Sequence, residues 1–300
     1  MAIERSIFYK IRRKGQVIMH DIATPEFMSK LYFRYVLKRP LDLINPKTFN
    51  EKLQWLKLYH WANDPAAVQC ADKYAVREYV SKLGKEEILN DLYYVWDDAD
   101  KIVWDELPDR FVLKCNHGCG YNIICPDKSQ LDRKHTIKLL KKWMKEDFSK
   151  FNEEPHYAKI PRKIICEKYL DGDVVNYNIY VINGKAAFLS VAGGLGDGKE
   201  EHLSYYNTDG SMASFKNKSY PTKKDLLSPL LPDMVSLAEY LGKDFPMVRV
   251  DLFDHKGKII LSELTFTPGG GLIPFEPAGT DERLGELLDI SDLMEKRNTI

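Results

Sequence analysis

Three hundred residues leave room for one large domain or two or three closely packed lobes, with a substantial core in either case. Lysine plus arginine equals aspartate plus glutamate at 44 each, so no global field draws the chain to nucleic acid or to acidic membranes, and aromatics at 12% exclude a disordered polymer. No apolar run approaches the ~20 residues that cross a bilayer, and the basic N-terminus lacks the apolar centre of a secretory signal. Five cysteines, an odd number, read as reduced thiols rather than a disulfide framework, so a cytoplasmic protein is expected.

The first third predicts helices. In TFNEKLQWLKLYHW, Thr48 and Glu51 have capping-box spacing, and Phe49, Leu53 and Leu56 recur at helical period. A second helix is expected from Asp72 to Leu83, with Val76, Tyr79, Val80 and Leu83 on one side and Gly84 as its stop. Then the period changes. Phe111 to Asn116 (FVLKCN) predicts a strand running into the glycine-bearing loop HGCGYN, with a second strand at Ile123 to Cys125. Residues 129–147 predict a basic amphipathic helix. Strands follow at Lys163 to Tyr169, Asn176 to Ile182 and Ala186 to Ala192, the last two joined by the hairpin turn Asn183-Gly184. A helical stretch from Asp225 to Leu241 precedes a final hairpin, VRVDLFDHKGKIILSELTFTPGGG, from Val248 to Gly271. Hairpins interleaved with helices predict an α+β fold with mainly antiparallel sheets.

That last hairpin carries charge where an apolar body should pack. Side chains two apart on a strand share a face, so Arg249 and Asp251 point the same way. The DHKG turn returns KIILSEL, on which Glu263 approaches Asp251. Converging carboxylates repel unless a cation neutralises them, and hard oxygen donors suit Mg²⁺. A solvated outer face accounts for the hairpin equally well when it is taken alone.

Upstream, Lys114 lies in an apolar strand just before Gly118 and Gly120; close-approaching amides beside a lysine are what a nucleotide phosphate needs. Cys115, His117, Cys119 and Cys125 offer zinc-type donors, but without a CxxC knuckle. GGLGDGK, Gly193 to Lys199, nearly fits a phosphate loop. Glu200 stands at the hydroxyl position and no helix is expected after it, so a lid-like hairpin loop is the better reading. Gly269 to Gly271 fits a strand-ending turn or a close approach of substrate to backbone.

Taken in order, FNEKLQWLKLY, ADKYAVREYV, ELPDRFVLKCNHGCGYNII, IICEKYLDG, YVINGK and RVDLFDHKGKIILSELTFTPGGG resemble the TupA-like ATP-grasp family of cell-surface polysaccharide genes, over about residues 30–290. The resemblance implies an ATP-grasp fold, two α+β lobes with ATP between them. Residues 1–70 would form a helical N-terminal segment, 71–166 the first lobe with its glycine loop, and 167–300 the second lobe with the metal hairpin. It also implies ATP and Mg²⁺ as cofactors. Lys73 and Lys114 then face the phosphates, and the loop from His117 to Asn122, with Gly118 and Gly120, closes over them. Glu167, Lys168, Tyr169 and Leu170 hold adenine, and Asp173 bonds the ribose hydroxyls. Asp251 and Glu263 carry the metal, and Arg249 acts with Lys114 on the transferred phosphoryl group. Thr265 stands where many ATP-grasp enzymes have an asparagine ligand.

The implied reaction is ADP-forming amide synthesis through an acyl phosphate, attaching an amino acid or small amine to a uronic acid of a capsular or other surface polysaccharide. Arg249, Lys199, His202, Tyr205 and Tyr206 are the candidates to hold the sugar. The implied partners are a carboxylate, an amine and, peripherally, the surface-polysaccharide machinery, with no nucleic acid and no transmembrane segment. Three alternatives stay open. They are a glycosyltransferase using Asp171 and Asp173 as its acidic pair, a peptide ligase joining amino acids, and an ATP-binding subunit without turnover.

Overall fold

The computed structural model describes residues 7–172, 174–193 and 201–298. The chain opens with α1 (Ile7–Ile22), α2 (Pro25–Leu37), α3 (Phe49–Tyr59), α4 (Pro65–Ala71) and α5 (Val76–Lys82). A first sheet follows, from β1 (Leu92–Trp96), β2 (Phe111–Cys115), β3 (Asn122–Cys125) and β4 (Ile164–Lys168), with α6 (Arg133–Lys145) and the single turn α7 (Ser149–Asn152) before its last strand. Next come β5 (Val175–Ile182), β6 (Lys185–Gly193), β7 (His202–Tyr206), β8 (Lys216–Asn217), α8 (Leu231–Gly242), β9 (Met247–His255) and β10 (Lys258–Thr265). β11 (Phe275–Glu276), α9 (Thr280–Leu287) and α10 (Ser291–Asn298) complete the described elements. The first sheet has the order β1-β4-β2-β3 and the second β10-β9-β5-β6-β7, while β8 pairs with β11. The paired strands are antiparallel, as hairpin connections require.

Each sheet has its own core. Phe111, Leu113 and Cys115 alternate inward on β2 and meet Ile123, Ile164 and Cys166, with Leu140, Trp143 and Phe148 from the helical side. The second core reaches back to the N-terminal helices: Phe33, Phe49, Leu53, Val76 and Val80 pack with Ile179, Phe188, Val250 and Leu264. α5, expected to open the first lobe, therefore packs with the second sheet. Full burial of Phe49 and Leu53, both 0% exposed, contributes roughly 1.5–3 kcal/mol each.

α3 forms as its capping box requires. Thr48 Oγ1 accepts from the Glu51 amide at 3.3 Å, and Glu51 Oε2 accepts from the Thr48 amide at 3.0 Å. Its buried polar side chains then fix the segment beyond β10. Gln54 Nε2 donates to the carbonyls of Gly270 and Gly271, each at 2.8 Å, and Asn50 exchanges two bonds with the Ile273 backbone. Gly269, Gly270 and Gly271 take φ of +60°, +67° and +69°, and a Cβ at Gly271 would lie 2.8 Å from Gln54 Nε2. The triple glycine is thus a left-handed, strand-ending turn.

Three helices start later than their periodicity predicts, α6 at Arg133 rather than 129 because the Asp132 carboxylate caps it by accepting from the His135 amide (2.9 Å). α5 begins at Val76 because the Asp72 carboxylate closes a turn on the Tyr74 amide (2.8 Å) and takes a bond from Asn116 Nδ2 (2.7 Å). α8 begins at Leu231 because Asp225 is held against β7 by His202 Nε2 (2.7 Å) and Tyr206 Oη (2.9 Å). β1 had no counterpart among the expected strands. Asn183 and Gly184 take φ of +47° and +76°, the two-residue turn their identities predict. Among the described residues no helix is long and apolar enough to cross a membrane.

Candidate active site

The β9–β10 ladder decides where the hairpin's charges go. Pairing runs in register through Leu261↔Leu252, then resumes as Glu263↔Asp251 and Thr265↔Arg249, so Ser262 is an extra residue in the strand. Continued without that bulge, the register would set Glu263 opposite Val250, on the core face. The bulge instead aims Glu263 onto the face of Asp251. There Arg249 donates from Nε and Nη2 to the two oxygens of Asp251 at 2.7 and 2.5 Å, and from Nη2 to Thr265 Oγ1 at 3.2 Å. Thr265 Oγ1 in turn donates to Glu263 at 3.3 Å. Asp251 is 1% exposed, which overturns the solvated-face reading of the hairpin.

The two carboxylates are shifted in opposite directions for a physical reason. Burial pushes Asp251 up to about 7 against the pull of Arg249 and, more weakly, of Lys73, with Glu263 as a like-charged neighbour. Burial acts on Glu263 too, but Lys73 and then Arg249 outweigh it and hold this carboxyl at about 2. Three hard oxygen-bearing side chains, those of Asp251, Glu263 and Thr265, meet at one end of the ladder. That donor chemistry fits Mg²⁺, which takes one or two carboxylates and fills its shell elsewhere.

Lys73 reaches this end from the first third of the chain. Its Nζ lies 2.7 Å from Glu263 Oε2 and donates to the Gly118 carbonyl at 2.9 Å, while its amide donates to the Asn116 carbonyl at 3.3 Å. One lysine thus joins the carboxylate end of the hairpin to the glycine loop. Gly118 admits no side chain, since a Cβ there would sit 2.6 Å from Phe148 and 2.8 Å from Tyr121. Gly120 takes φ of +74°. His117, expected at the phosphates, faces the opposite way. Its ring is 1% exposed, bonds the Trp143 carbonyl through Nε2 at 3.1 Å, and is lowered to about 4 by burial, so it is a neutral anchor beneath the loop. Asn122 is exposed on β3, opposite Lys114. Cys115 and Cys125 are buried and Cys119 exposed. Among the described residues no group of three or more His, Cys, Asp or Glu side chains is placed to hold a metal, so nothing supports the zinc alternative.

On the first sheet, Lys114 Nζ donates to Glu167 at 2.6 Å across the β2–β4 ladder. Arg77 of α5, which the sequence reading passed over, stands 4.0 Å from the other Glu167 oxygen. Its position four residues after Lys73, one helical turn on, is the signal that would have found it. Lys168 turns away from this face to pair with Asp91 at 2.8 Å, and the Tyr169 ring lies under Arg110 at 4.4 Å. If these two residues touch nucleotide, they do so through backbone. Leu170 lines a cavity of about 310 Å³ with Leu89, His255 and Ile260, between the β4–β5 connection and the hairpin turn.

Several expected groups are not brought to the site. Asp171 accepts from Lys256 at 2.9 Å on both oxygens, which ties it to the β9–β10 turn and takes it from the acidic pair of a sugar transferase. Asp173 and Lys199 lie outside the described residues, as does most of GGLGDGK. Tyr205 and Tyr206 are each 1% exposed, and His202 is held by Asp225, so this trio builds the sheet rather than a sugar site. The reason is coverage on both faces. Tyr205 packs on Phe188 and Phe215, and the chain near Lys223 crosses the other face, its carbonyl accepting from Ser204 and Tyr206.

Four cations, those of Lys73, Arg77, Lys114 and Arg249, therefore face three carboxylates, those of Glu167, Asp251 and Glu263. The arrangement suits a polyanion accompanied by a dication. No curated protein matches the chain. Among solved structures, an L-amino acid ligase from Bacillus licheniformis is similar at 15% identity, over 89% of this chain and 63% of its own, with a TM-score of 0.49. A D-alanine–D-alanine ligase from Helicobacter pylori is similar at 16% identity, over 82% and 70%, with a TM-score of 0.43. The corresponding ligase from Bacillus anthracis, complexed with ATP, is similar at 15%, over 69% and 55%, with a TM-score of 0.41. The chain spans little more than half the length of that last structure. A profile described as TupA-like ATP-grasp matches residues 51–289, most of the sequence, and the chain belongs to that family.

Proposed function

We propose that this chain is an ADP-forming ligase that uses ATP and Mg²⁺ to join a carboxylate to an amine through an acyl phosphate. One observation carries the reading beyond family membership: Lys73, Arg249, Asp251 and Glu263, drawn from distant parts of the chain, meet within ion-pair distance at the mouth of a bulged hairpin. A free carboxylate is a poor electrophile because attack on it must expel oxide. Transfer of the γ-phosphoryl group makes an anhydride whose leaving group is phosphate, and an amine then displaces it. The protein's task is to hold the reacting oxygens in line and to neutralise charge on the group in flight. Lys73 and Arg249 each have a carboxylate partner and the reach to exchange it for phosphate oxygens. Lys114 and Arg77, paired on Glu167, stand along the same path toward the β4–β5 connection, where adenine would lie between a lobe built on the first sheet and one built on the second. Mg²⁺, held by Asp251 and Glu263 with Thr265, would supply the remaining positive charge. No protein nucleophile is needed.

The substrate pair we favour is a uronic acid of a surface polysaccharide and an amino acid or small amine, with the enzyme working in the cytoplasm where ATP is made. The support for the uronic acid is the family alone, since among the sugar-holding candidates Arg249 remains and the β7 residues do not. The test is an ADP-release screen crossing glucuronic and galacturonic derivatives against the common amino acids, with mass spectrometry for the condensed product. An amide of a uronic acid is the expected result. Turnover only with two amino acids would replace it by peptide ligation, and sugar transfer from a nucleotide sugar would overturn the ligase.

A further inference from the structure

α2 presents one face to solvent, and its composition is unusual for such a face. Phe27, Lys30, Leu31, Arg34 and Tyr35 follow one another at spacings of three, one, three and one, which places them on a single stripe, and the cap residue Lys38 joins it through the Tyr35 ring. Phe27 is 57% exposed, Leu31 45% and Tyr35 74%, while the opposite side of the helix buries Met28 and Phe33, the latter in the second core. Solvated helix faces mix charges of both signs. This stripe alternates bulky apolar residues with cations and contains no acid. Two acids flank it, each with a partner: Glu26, one turn before Lys30, accepts from Tyr59, and Asp21 pairs with Lys150. Two residues upstream, α1 adds Ile11, Ile18 and Ile22, all more than half exposed, at spacings of seven and four, with Arg12 and Lys14 exposed beside them.

We propose that the outward face of α2, with the exposed isoleucines of α1, docks on the surface of an anionic lipid bilayer. Apolar and aromatic side chains gain by entering the boundary between headgroups and acyl chains, and the interleaved cations gain from acidic headgroups. Lys30 and Lys38 can lay their stems along the apolar surface with the ammonium groups at headgroup level, and Lys38 Nζ already lies 4.7 Å from the Tyr35 ring. The balanced net charge of the whole chain does not oppose this, because attraction to a membrane is local and fades within a Debye length. A second copy of the chain is the poorer occupant. A twofold contact sets a patch against itself, and a stripe whose charges are all positive would then face its own cations. This inference goes beyond the catalytic reading and does not depend on it.

The test is co-sedimentation of the whole protein with phosphatidylcholine vesicles, with and without phosphatidylglycerol. Binding is expected only to the anionic vesicles and should fall with added salt. Lys30→Glu with Arg34→Glu should weaken it roughly tenfold or more. Phe27→Ser with Leu31→Ser should weaken it comparably, with the thermal midpoint of both variants unchanged because all four side chains are exposed. Wild-type protein that stays in the supernatant with anionic vesicles would overturn the proposal, as would binding that survives both double substitutions. Concentration-dependent dimerisation abolished by the same substitutions would assign the face to a second copy instead.

Discussion

On the β9–β10 side of the site every charged group sits in a hydrogen-bonded ladder, whereas the glycine loop is held from outside any ladder, by side chains packed against it. Arg249, Asp251, Glu263 and Thr265 are fixed by register between two strands of a five-stranded sheet, and one inserted residue decides their face. The loop is held by Lys73 on the Gly118 carbonyl, by Asn116 on Asp72 and the Pro161 carbonyl, by the pairing of β2 with β3, and by His117 and Tyr121 packed on Trp143, with Tyr121 Oη on Glu146. The proposed ligase would divide its work along that line. A metal and a transferring phosphoryl group need ligands preset within a fraction of an ångström, which a ladder would supply. A nucleotide that must enter and leave needs donors that can open, which the exposed tip of the loop at Cys119 and Gly120 would supply. Lys73 touches both sides.

Breaking the rigid side should cost most. Glu263→Gln keeps shape and removes charge, so the fold should persist while ADP release falls by more than ~10²-fold, the scale of one preorganised electrostatic contact. Near-normal turnover in the folded variant would remove Glu263 from the metal site.

On the loop side, the next largest effect is a pH linkage at His117. Burial holds its folded-state value at about 4, below the ordinary ~6.5 of the unfolded chain, so the unfolded state takes up a proton that the folded state refuses. Its stabilisation is complete above ~6.5 and is lost as pH falls toward 4. Between pH 7 and 5 that loss amounts to roughly 2 kcal/mol. His117→Gln, which can still donate to the Trp143 carbonyl, does not titrate. The stability gap between wild type and variant, from urea unfolding at the two pH values, should shift by about that amount against wild type at pH 5. An unchanged gap would mean that the imidazole is not buried as described.

How much of this was readable in the sequence depends on whether the deciding partner is near in the chain. Thr48 and Glu51, Asn183 and Gly184, and Arg249 and Asp251 are neighbours, and each pair fixed its own local geometry. The bulge at Ser262 was not readable, because an inserted residue looks like any other until the opposite strand is in place; the approach of Glu263 to Asp251 was right for a reason the sequence could not state. His117 and the β7 tyrosines were misjudged for the opposite reason. A ring beside a glycine loop looks available until Trp143 and Tyr121 close on it, and Tyr205 and Tyr206 look like sugar contacts until both faces of their strand are covered. Arg77 was missed although its spacing from Lys73 was in view.

The tether itself can be cut. Lys73→Met removes a charge-assisted bond to the Gly118 carbonyl and leaves a side chain of similar length. Amide exchange across residues 117–121 should then quicken about tenfold, the effect of losing roughly 1.5 kcal/mol of local stability. Exchange as slow as in wild type would place the loop's restraint on its other anchors, those of Asn116, His117 and Tyr121 and the β2–β3 pairing, and Lys73 would no longer link the two sides.

The smallest effect should come from the residue that sequence placed at adenine and structure turns outward. Lys168 lies half exposed against an exposed Asp91, a solvent-screened surface pair of the kind that contributes little. Glu167, its neighbour on β4, points the other way toward Lys114. Alternation along a strand means that the two side chains cannot share a ligand on one face of the sheet. Lys168→Ala should therefore leave the KM for ATP within about threefold of wild type, the span of a lost surface contact, whereas Glu167→Gln should raise it by more. Isothermal titration with a non-hydrolysable ATP analogue separates the two. A Lys168→Ala protein that binds nucleotide as poorly as Glu167→Gln would show that the β4–β5 connection rearranges when ATP arrives. The rigid side of the site would then extend only as far as the second sheet.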